Sequence, residues 1–167
     1  MARRRSGAFE RPADEPIYGT AFLPRKFKIA VTAAGDNSVD LYTNDLGVVP
    51  VLDAEGTVLG YDLLVGGGLG MTHGKTTTFP RLADEFAFVR TEQLLDAVRA
   101  IVVLQRDHGE RANRKHARLK YLIADRGLAW FQAAVEAEAG CTLEPWRAVP
   151  PWTAPKFLGW HEAGDGT

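Results

Sequence analysis

The chain places Arg25, Lys26 and Lys28 immediately before an apolar run. This pattern predicts a strand over about residues 25–33, in which side chains alternate between the two faces. Lys26 and Lys28 would then share one face, roughly 7 Å apart at their Cα atoms, while Arg25 and Phe27 point to the other. Two ammonium groups at this spacing repel each other unless an anion lies between them, which indicates an anion site. A solvated strand edge, where lysines discourage edge-to-edge pairing, explains the same residues.

A second cluster of basic residues lies between residues 105 and 120, which hold six basic and two acidic side chains on a chain of net charge -1. Arg111, Arg114 and Arg118 are spaced i, i+3 and i+7, so a helix extending back to Arg111 would place them on one face. Their planar guanidinium groups suit carboxylate or phosphate. The cluster indicates an anionic partner, and a solvated helix face with local ion pairs is the alternative.

Three consecutive glycines, Gly66, Gly67 and Gly68, follow a predicted strand. Glycines at such a position let the backbone approach a ligand closely, and their N–H groups can cradle an anion. Lys75 would add positive charge nearby. The spacing matches neither a Walker loop nor the Gly-x-Gly-x-x-Gly fingerprint, and a tight bend or bulge is the alternative.

Cysteine and histidine usage limits the metal chemistry of this chain. Its one cysteine, Cys141, can form neither an intramolecular disulfide nor, alone, an iron-sulfur or structural zinc site. The four histidines are too scattered to predict a metal site. No stretch approaches the roughly 18 consecutive apolar residues of a membrane span, so we expect a cytoplasmic protein with no membrane partner.

The elements that must position these residues fall into two blocks, strands first and helices second, which predicts an α+β fold with a mixed or antiparallel sheet and helices packed on it. Two apolar runs at 48–52 and 58–65 flank turn residues 53–56 and predict a hairpin. Helical periodicity predicts three helices, at about 91–108, 112–125 and 128–139. We expect a flexible lead-in over 1–16, one domain over 17–161 and a tail over 162–167.

Four sequence blocks, taken together over about residues 15–161, resemble the siroheme-containing nitrite and sulfite reductases in order and spacing. The blocks are Tyr18–Lys28, Asp40–Asp45, Leu63–Leu69 and Gln105–Tyr121. In its Leu-Pro-Arg-Lys-Phe-Lys form, the first block is more similar to assimilatory sulfite reductases than to plant-type nitrite reductases. The resemblance implies that residues 17–161 form part of a siroheme-binding domain.

The resemblance also implies roles for particular residues. Lys26 and Lys28 would be catalytic, binding the substrate oxygens on the distal side of the siroheme and helping to deliver protons. Arg25 would contact the siroheme, and Arg118 its carboxylates. Arg114 and the three glycines Gly66, Gly67 and Gly68 complete the expected cofactor-binding set, and no metal ligand is expected within the chain.

The reaction implied by the resemblance is the six-electron reduction of sulfite to sulfide, or the reduction of nitrite, at a siroheme coupled to a 4Fe-4S cluster. Ferredoxin or a flavoprotein subunit would donate the electrons. The family's cysteine set, Cys-x5-Cys followed by Cys-x3-Cys, is absent from this sequence. We therefore expect a central fragment of the enzyme that is inert alone.

The alternative class is a non-enzymatic module that binds anions or nucleic acid through the face from Arg111 to Arg118 and the glycine loop. Nucleic-acid binding usually interleaves stacking aromatics with basic residues. Tyr121 is the only aromatic residue near the basic cluster. The sequence therefore favours the reductase.

Overall fold

The computed structural model describes residues 17–153 and residue 164. Its described part contains four strands and three α-helices in an α+β arrangement. The strands are β1 (Ile29–Val31), β2 (Leu46–Leu52), β3 (Val58–Val65) and β4 (Asp84–Val89). The helices are α1 (Leu94–His108), α2 (Leu119–Arg126) and α3 (Leu128–Ala139). The expected lead-in over 1–16 and the tail over 162–167 lie outside the described residues, apart from residue 164.

The strands form one mixed sheet in the order β1-β2-β3-β4, with β1 parallel to β2 and the other pairs antiparallel. The predicted hairpin is β2–β3. Its turn is closed by Asp53, whose Oδ1 accepts the N–H groups of Glu55 at 3.0 Å and Thr57 at 2.7 Å. β4 was not predicted, although its alternating Phe86 and Phe88 are typical of a strand.

Side chains alternate between the two faces of the sheet and build two apolar clusters. Leu46, Leu63 and Ala87 face the three helices and belong to the larger cluster. The smaller cluster lies on the opposite face around Leu64, where Trp146 and Trp152 pack against it. Trp146 and Trp152 therefore cover part of the core on this face of the sheet.

The first strand is much shorter than the predicted 25–33, because it begins only at Ile29. Bends at Pro24 and Arg25 interrupt the extended backbone before it. The N–H group of Lys28 donates to the side chain of Asp45 at 2.9 Å, rather than to a neighbouring strand. Residues 25–28 therefore lie outside the strand that was predicted to alternate their side chains.

The second helix is also shorter than predicted, because it begins at Leu119 instead of about residue 112. Glu110 Oε1 accepts the N–H groups of Ala112 and Asn113, at 2.6 and 3.2 Å. Asn113 Oδ1 in turn accepts the N–H of Lys115 at 3.1 Å. These local side-chain bonds compete with helical hydrogen bonds and leave a loop with one 3-10 turn.

The first and third helices match their predictions closely. Residues 91–93 form a 3-10 turn that leads into α1, and Gln93 Oε1 accepts the N–H of Arg90 at 3.0 Å. α3 covers Leu128–Ala139 and ends at Gly140. Gly140 has φ 67°, the left-handed conformation that commonly ends a helix.

Candidate functional site

An open cavity of about 370 Å³ lies where the segment before β1, the loop after β3 and the start of α2 meet. Six of its lining residues are basic, and none of those described is acidic. The basic residues are Arg25, Lys26, Arg114, Lys115, Arg118 and Lys120. Thr72, Thr78 and Tyr121 add hydroxyl groups to the lining. Such a cavity suits a ligand with several negative charges, because each cation can pair with a separate anionic group.

The bent segment before β1 brings Arg25 and Lys26 to the same cavity, although the sequence predicted that they point to opposite faces. Lys26 is exposed and Arg25 is half-buried. Lys28 is not among the residues that line the cavity. Its Nζ donates instead to the carbonyl oxygen of Thr43 at 3.3 Å. Arg25 and Lys26, but not Lys28, therefore line the cavity.

The glycine run lies beneath the cavity, and its N–H groups bond to the protein itself. Gly66, Gly67 and Gly68 donate to the carbonyl oxygens of Asp45, Asn44 and Arg81, at 2.9, 2.9 and 2.8 Å. The expectation that these N–H groups cradle an anion is therefore not met in this structure. A Cβ atom at Gly67 would lie 2.2 Å from the carbonyl oxygen of Tyr42, so close backbone packing requires glycine there.

Arg118 lines the cavity and forms an ion pair with Asp45, which is not among the lining residues. Its Nε donates to Asp45 Oδ1 at 2.8 Å, and its Nη2 donates to Asp45 Oδ2 at 2.8 Å. Nη2 also lies 3.5 Å from the carbonyl oxygen of Gly67. Asp45 is fully buried, while the Arg118 side chain is 14% exposed. The bidentate pair fixes the plane of the guanidinium group.

Lys120 is a buried cation for which the sequence pattern predicted no role of its own. It is 1% exposed, and its Nζ donates to the carbonyl oxygens of Gly68 at 2.9 Å, Gly70 at 2.7 Å and Phe79. Burial, followed by the positive charge of Arg118, lowers the pKa of Lys120, while Asp45 opposes this shift. These hydrogen bonds connect the loop after β3 to the start of α2. Its position between Leu119 and Tyr121, in an otherwise apolar stretch, was the available signal.

The three arginines that were predicted to share a helix face are separated in the structure. Arg111 donates through Nη1 to the carbonyl oxygen of Ala21 at 3.1 Å, and through Nη2 to those of Phe22 and Arg106, both at 2.7 Å. Arg114 and Arg118 line the cavity. The continuous basic face proposed for a nucleic-acid or anion-binding module is therefore absent from the described residues.

Residues 17–153 contain no group of three or more histidine, cysteine or acidic side chains that could hold a metal ion. Cys141 is half-buried, and burial raises the pKa of its thiol. A 4Fe-4S cluster is held by four thiolates, so one cysteine does not fit it. No helix among the described residues is long and apolar enough to cross a membrane.

The cationic cavity does fit part of a siroheme, because this macrocycle carries many carboxylates. Six basic side chains from two separate segments line it and can pair with carboxylates at different positions. The volume of about 370 Å³ suits a carboxylate-bearing edge rather than a whole macrocycle.

Comparisons with known proteins give a consistent assignment. Residues 8–143 match the family model described as nitrite and sulphite reductase 4Fe-4S domain. The chain is 50% identical to the ferredoxin sulfite reductase of Synechococcus elongatus over 165 residues, which are 99% of this chain and 26% of that protein. It is also 50% identical to the NADPH sulfite reductase hemoprotein beta-component of Shewanella putrefaciens over 152 residues, 91% of this chain and 27% of the relative.

A solved structure supports the same conclusion at the level of the fold. The structure of the Mycobacterium tuberculosis NirA protein superposes with a TM-score of 0.67 and 32% identity, covering 88% of this chain and 26% of that one. The chain spans about a quarter of the length of the relatives that it matches. The chain belongs to the nitrite and sulphite reductase 4Fe-4S domain family.

Proposed function

We propose that this chain forms part of the siroheme and substrate site of a sulfite reductase, which reduces sulfite to sulfide by six electrons. The cavity lined by six basic residues and no described acidic residue is the observation that carries the proposal. Both the cofactor, a polycarboxylate, and the substrate, an oxyanion, are negatively charged. Two relatives at 50% identity are named sulfite reductases, which favours sulfite over nitrite as the substrate.

Among the lining residues, Lys26 is assigned the substrate-binding and proton-donating role. Its exposed ammonium group is a compact cation with three donors and a proton to give. Sulfite reduction to sulfide takes up six protons along with the electrons, so an acid beside the substrate is chemically necessary. Lys28 is the second candidate, and its Nζ must leave the Thr43 carbonyl oxygen in order to act.

The arginines are assigned to the cofactor's carboxylates. Arg25, Arg114 and Arg118 line the cavity, and a guanidinium group stays charged at every relevant pH. Gly68 packs against Arg118 and Lys120, since an added Cβ atom there would lie 3.2 Å from Arg118 Nη2 and 3.5 Å from Lys120 Cδ. Gly66 and Gly67 allow the close backbone packing that leads into Gly68. The glycines therefore act in cofactor binding through close packing.

When bound, siroheme supplies the iron at which sulfite is reduced, and a 4Fe-4S cluster supplies its electrons. The cluster's thiolate ligands are assigned to residues outside this sequence, because the sequence contains one cysteine. The electron donor is ferredoxin or a flavoprotein reductase subunit, in keeping with the ferredoxin and NADPH named for the two relatives.

A chimera tests this function. The matching segment of the Synechococcus elongatus ferredoxin sulfite reductase is replaced by this chain, and sulfide production is measured with reduced methyl viologen as electron donor. We expect siroheme absorbance and turnover to be retained. A chimera that holds both siroheme and the cluster but makes no sulfide would contradict the proposal.

The role of Lys26 is tested in the same chimera. Lys26→Met should lower the sulfide turnover about 100-fold while siroheme absorbance is kept, because a positioned proton donor contributes a factor of this order. Lys75→Met is the matched control, since Lys75 is exposed and does not line the cavity. Full turnover by Lys26→Met would remove Lys26 from the proposed mechanism.

A further inference from the structure

One buried carboxylate holds both walls of the cationic cavity. Asp45 lies just before β2 and accepts two bonds from Arg118, which is 73 residues further along the chain. Its Oδ2 also accepts the backbone N–H of Lys28 at 2.9 Å, 17 residues earlier. Lys28 ends the segment that supplies Arg25 and Lys26 to the cavity. Asp45 therefore joins the two segments that carry its cations.

The electrostatic effect of Asp45 opposes anion binding. A negative charge 2.8 Å from a guanidinium group cancels part of the positive potential that the cavity offers to a ligand. If net charge alone set the affinity of the cavity, an anion would bind more tightly without Asp45. Any benefit from Asp45 must therefore come from the geometry that it imposes.

The two hydrogen bonds from Asp45 hold the guanidinium group of Arg118 in one orientation. The bidentate pair engages Nε and Nη2, and Nη1 has no acceptor among the described residues. We propose that Asp45 is a positioning residue, which holds Arg118 so that Nη1 serves a carboxylate of the bound ligand and keeps the Arg25–Lys28 segment opposite it. The inference rests on the proposed function in taking siroheme, a polycarboxylate, as the natural ligand.

Citrate, a tricarboxylate that needs no iron-sulfur cluster, is the probe for this role. Its affinity for the full 167-residue chain is measured by calorimetry at low ionic strength. Asp45→Asn removes one negative charge, but its amide group turns a donor towards Arg118 or Lys28. We expect citrate to bind Asp45→Asn at least tenfold more weakly than wild type, although the cavity has become more positive.

Asp125→Asn is the matched control. Asp125 is exposed and lies 3.7 Å from His116 Nδ1, so its replacement removes a negative charge near the same basic cluster without touching Arg118. Citrate should bind this variant as tightly as wild type or slightly more tightly. If Asp45→Asn also binds citrate as tightly as wild type, charge alone governs the cavity and the positioning role is overturned.

A spectroscopic readout separates positioning from general stability. The Nε–H resonance of Arg118 should exchange slowly in wild type and be lost in a folded Asp45→Asn variant, whose unfolding is followed by tryptophan fluorescence. If Asp45→Asn does not fold, Arg118→Lys replaces it, because lysine keeps the charge but cannot make both bonds. Wild-type citrate affinity in Arg118→Lys would overturn the proposal.

Failure of this inference is distinguishable from failure of the proposed function. Citrate binding is measured on the chain alone and involves no sulfite chemistry. An inactive chimera combined with the expected order of citrate affinities would remove the reductase assignment and leave Asp45 as the positioning residue of an anion site. An active chimera, together with wild-type citrate affinity in Asp45→Asn and Arg118→Lys, would keep the reductase assignment and remove the positioning role of Asp45.

Discussion

The ammonium group of Lys120 donates to the carbonyl oxygen of Gly68 at 2.9 Å. This hydrogen bond joins the first turn of α2 to the loop after β3. Two further carbonyl oxygens of this loop, those of Gly70 and Phe79, accept from the same Nζ. A buried cation is stable only when its donors are satisfied, and these three acceptors satisfy them. The rim of the cavity therefore depends on one lysine.

Lys120→Met should lower the free energy of unfolding by about 2–4 kcal/mol, because the carbonyl groups of Gly68, Gly70 and Phe79 lose their donor while the side-chain volume is roughly kept. Urea unfolding followed by tryptophan fluorescence measures this change. Lys75→Met, on the exposed part of the same loop, should change it by less than about 0.5 kcal/mol. Equal stability of the two variants would show that the Lys120 contacts carry no net stabilisation.

Gly67→Ala should be among the most damaging small substitutions in the chain. The added Cβ atom would lie 2.2 Å from the carbonyl oxygen of Tyr42 and 2.6 Å from that of Asn44, and both are backbone atoms. We expect a loss of at least about 3 kcal/mol in the free energy of unfolding. At Gly70 an added Cβ meets nothing within 4 Å, so Gly70→Ala is the matched control and should be nearly neutral. A stable Gly67→Ala variant would contradict the close backbone packing.

Asp62 should make the folded state less stable as the pH rises from about 4 to 6. Asp62 is fully buried, its Oδ1 accepts the N–H of Arg147 at 3.1 Å, and its Oδ2 has no partner among the described residues. Burial raises its pKa from 3.8 to about 6, an effect to which Glu85 adds and which Arg147 opposes. The folded protein thus keeps a proton that the unfolded chain has already lost, and the stabilisation linked to that proton disappears over this range.

The Asp62→Asn variant isolates this effect. A shift of about two pKa units corresponds to about 3 kcal/mol, so the stability of Asp62→Asn relative to wild type should rise by up to this amount between pH 4 and 7. Urea unfolding at several pH values gives the difference directly. Glu55→Gln, in the exposed hairpin turn, controls for the loss of one carboxyl group. A difference independent of pH would mean that Asp62 is not protonated at pH 5 in the folded state.

Arg111 and Arg114 should have separable effects, because only Arg114 lines the cavity. Arg114→Ala should weaken citrate binding about fivefold, as expected for losing one exposed charge contact of about 1 kcal/mol. Arg111→Ala should leave citrate affinity within about twofold, while it speeds hydrogen exchange at the Phe22 amide, whose segment loses the bonds from Arg111. Similar weakening of citrate binding by both substitutions would support a shared face for the two arginines.

Local signals explain which elements could be predicted from the sequence. The β2–β3 hairpin follows from apolar runs around Asp53 and Gly56, and α3 from helical periodicity that ends at Gly140. Each depends on residues within one or two turns of the chain. The start of α2 was misjudged for a local reason too, because the Glu110 and Asn113 side chains take N–H groups that a helix would need.

The sequence by itself determined which residue types are available to the candidate site, namely the basic residues Arg25, Lys26, Arg114 and Arg118 and the glycine run. It also showed that one cysteine cannot supply the ligands of an iron-sulfur cluster. These are matters of residue type and short spacing. They were sufficient to predict an anion site and to suggest the family of the chain.

Only the tertiary structure decided which of these residues meet. In the folded chain Arg25 and Lys26 line one cavity, and Lys28 donates to the carbonyl oxygen of Thr43. Arg118 pairs with Asp45, which is 73 residues away in the sequence. The physical reason is that long flexible basic side chains take their direction from the acceptors they reach. Those acceptors, buried carbonyl oxygens and Asp45, come together only when the sheet and α2 pack.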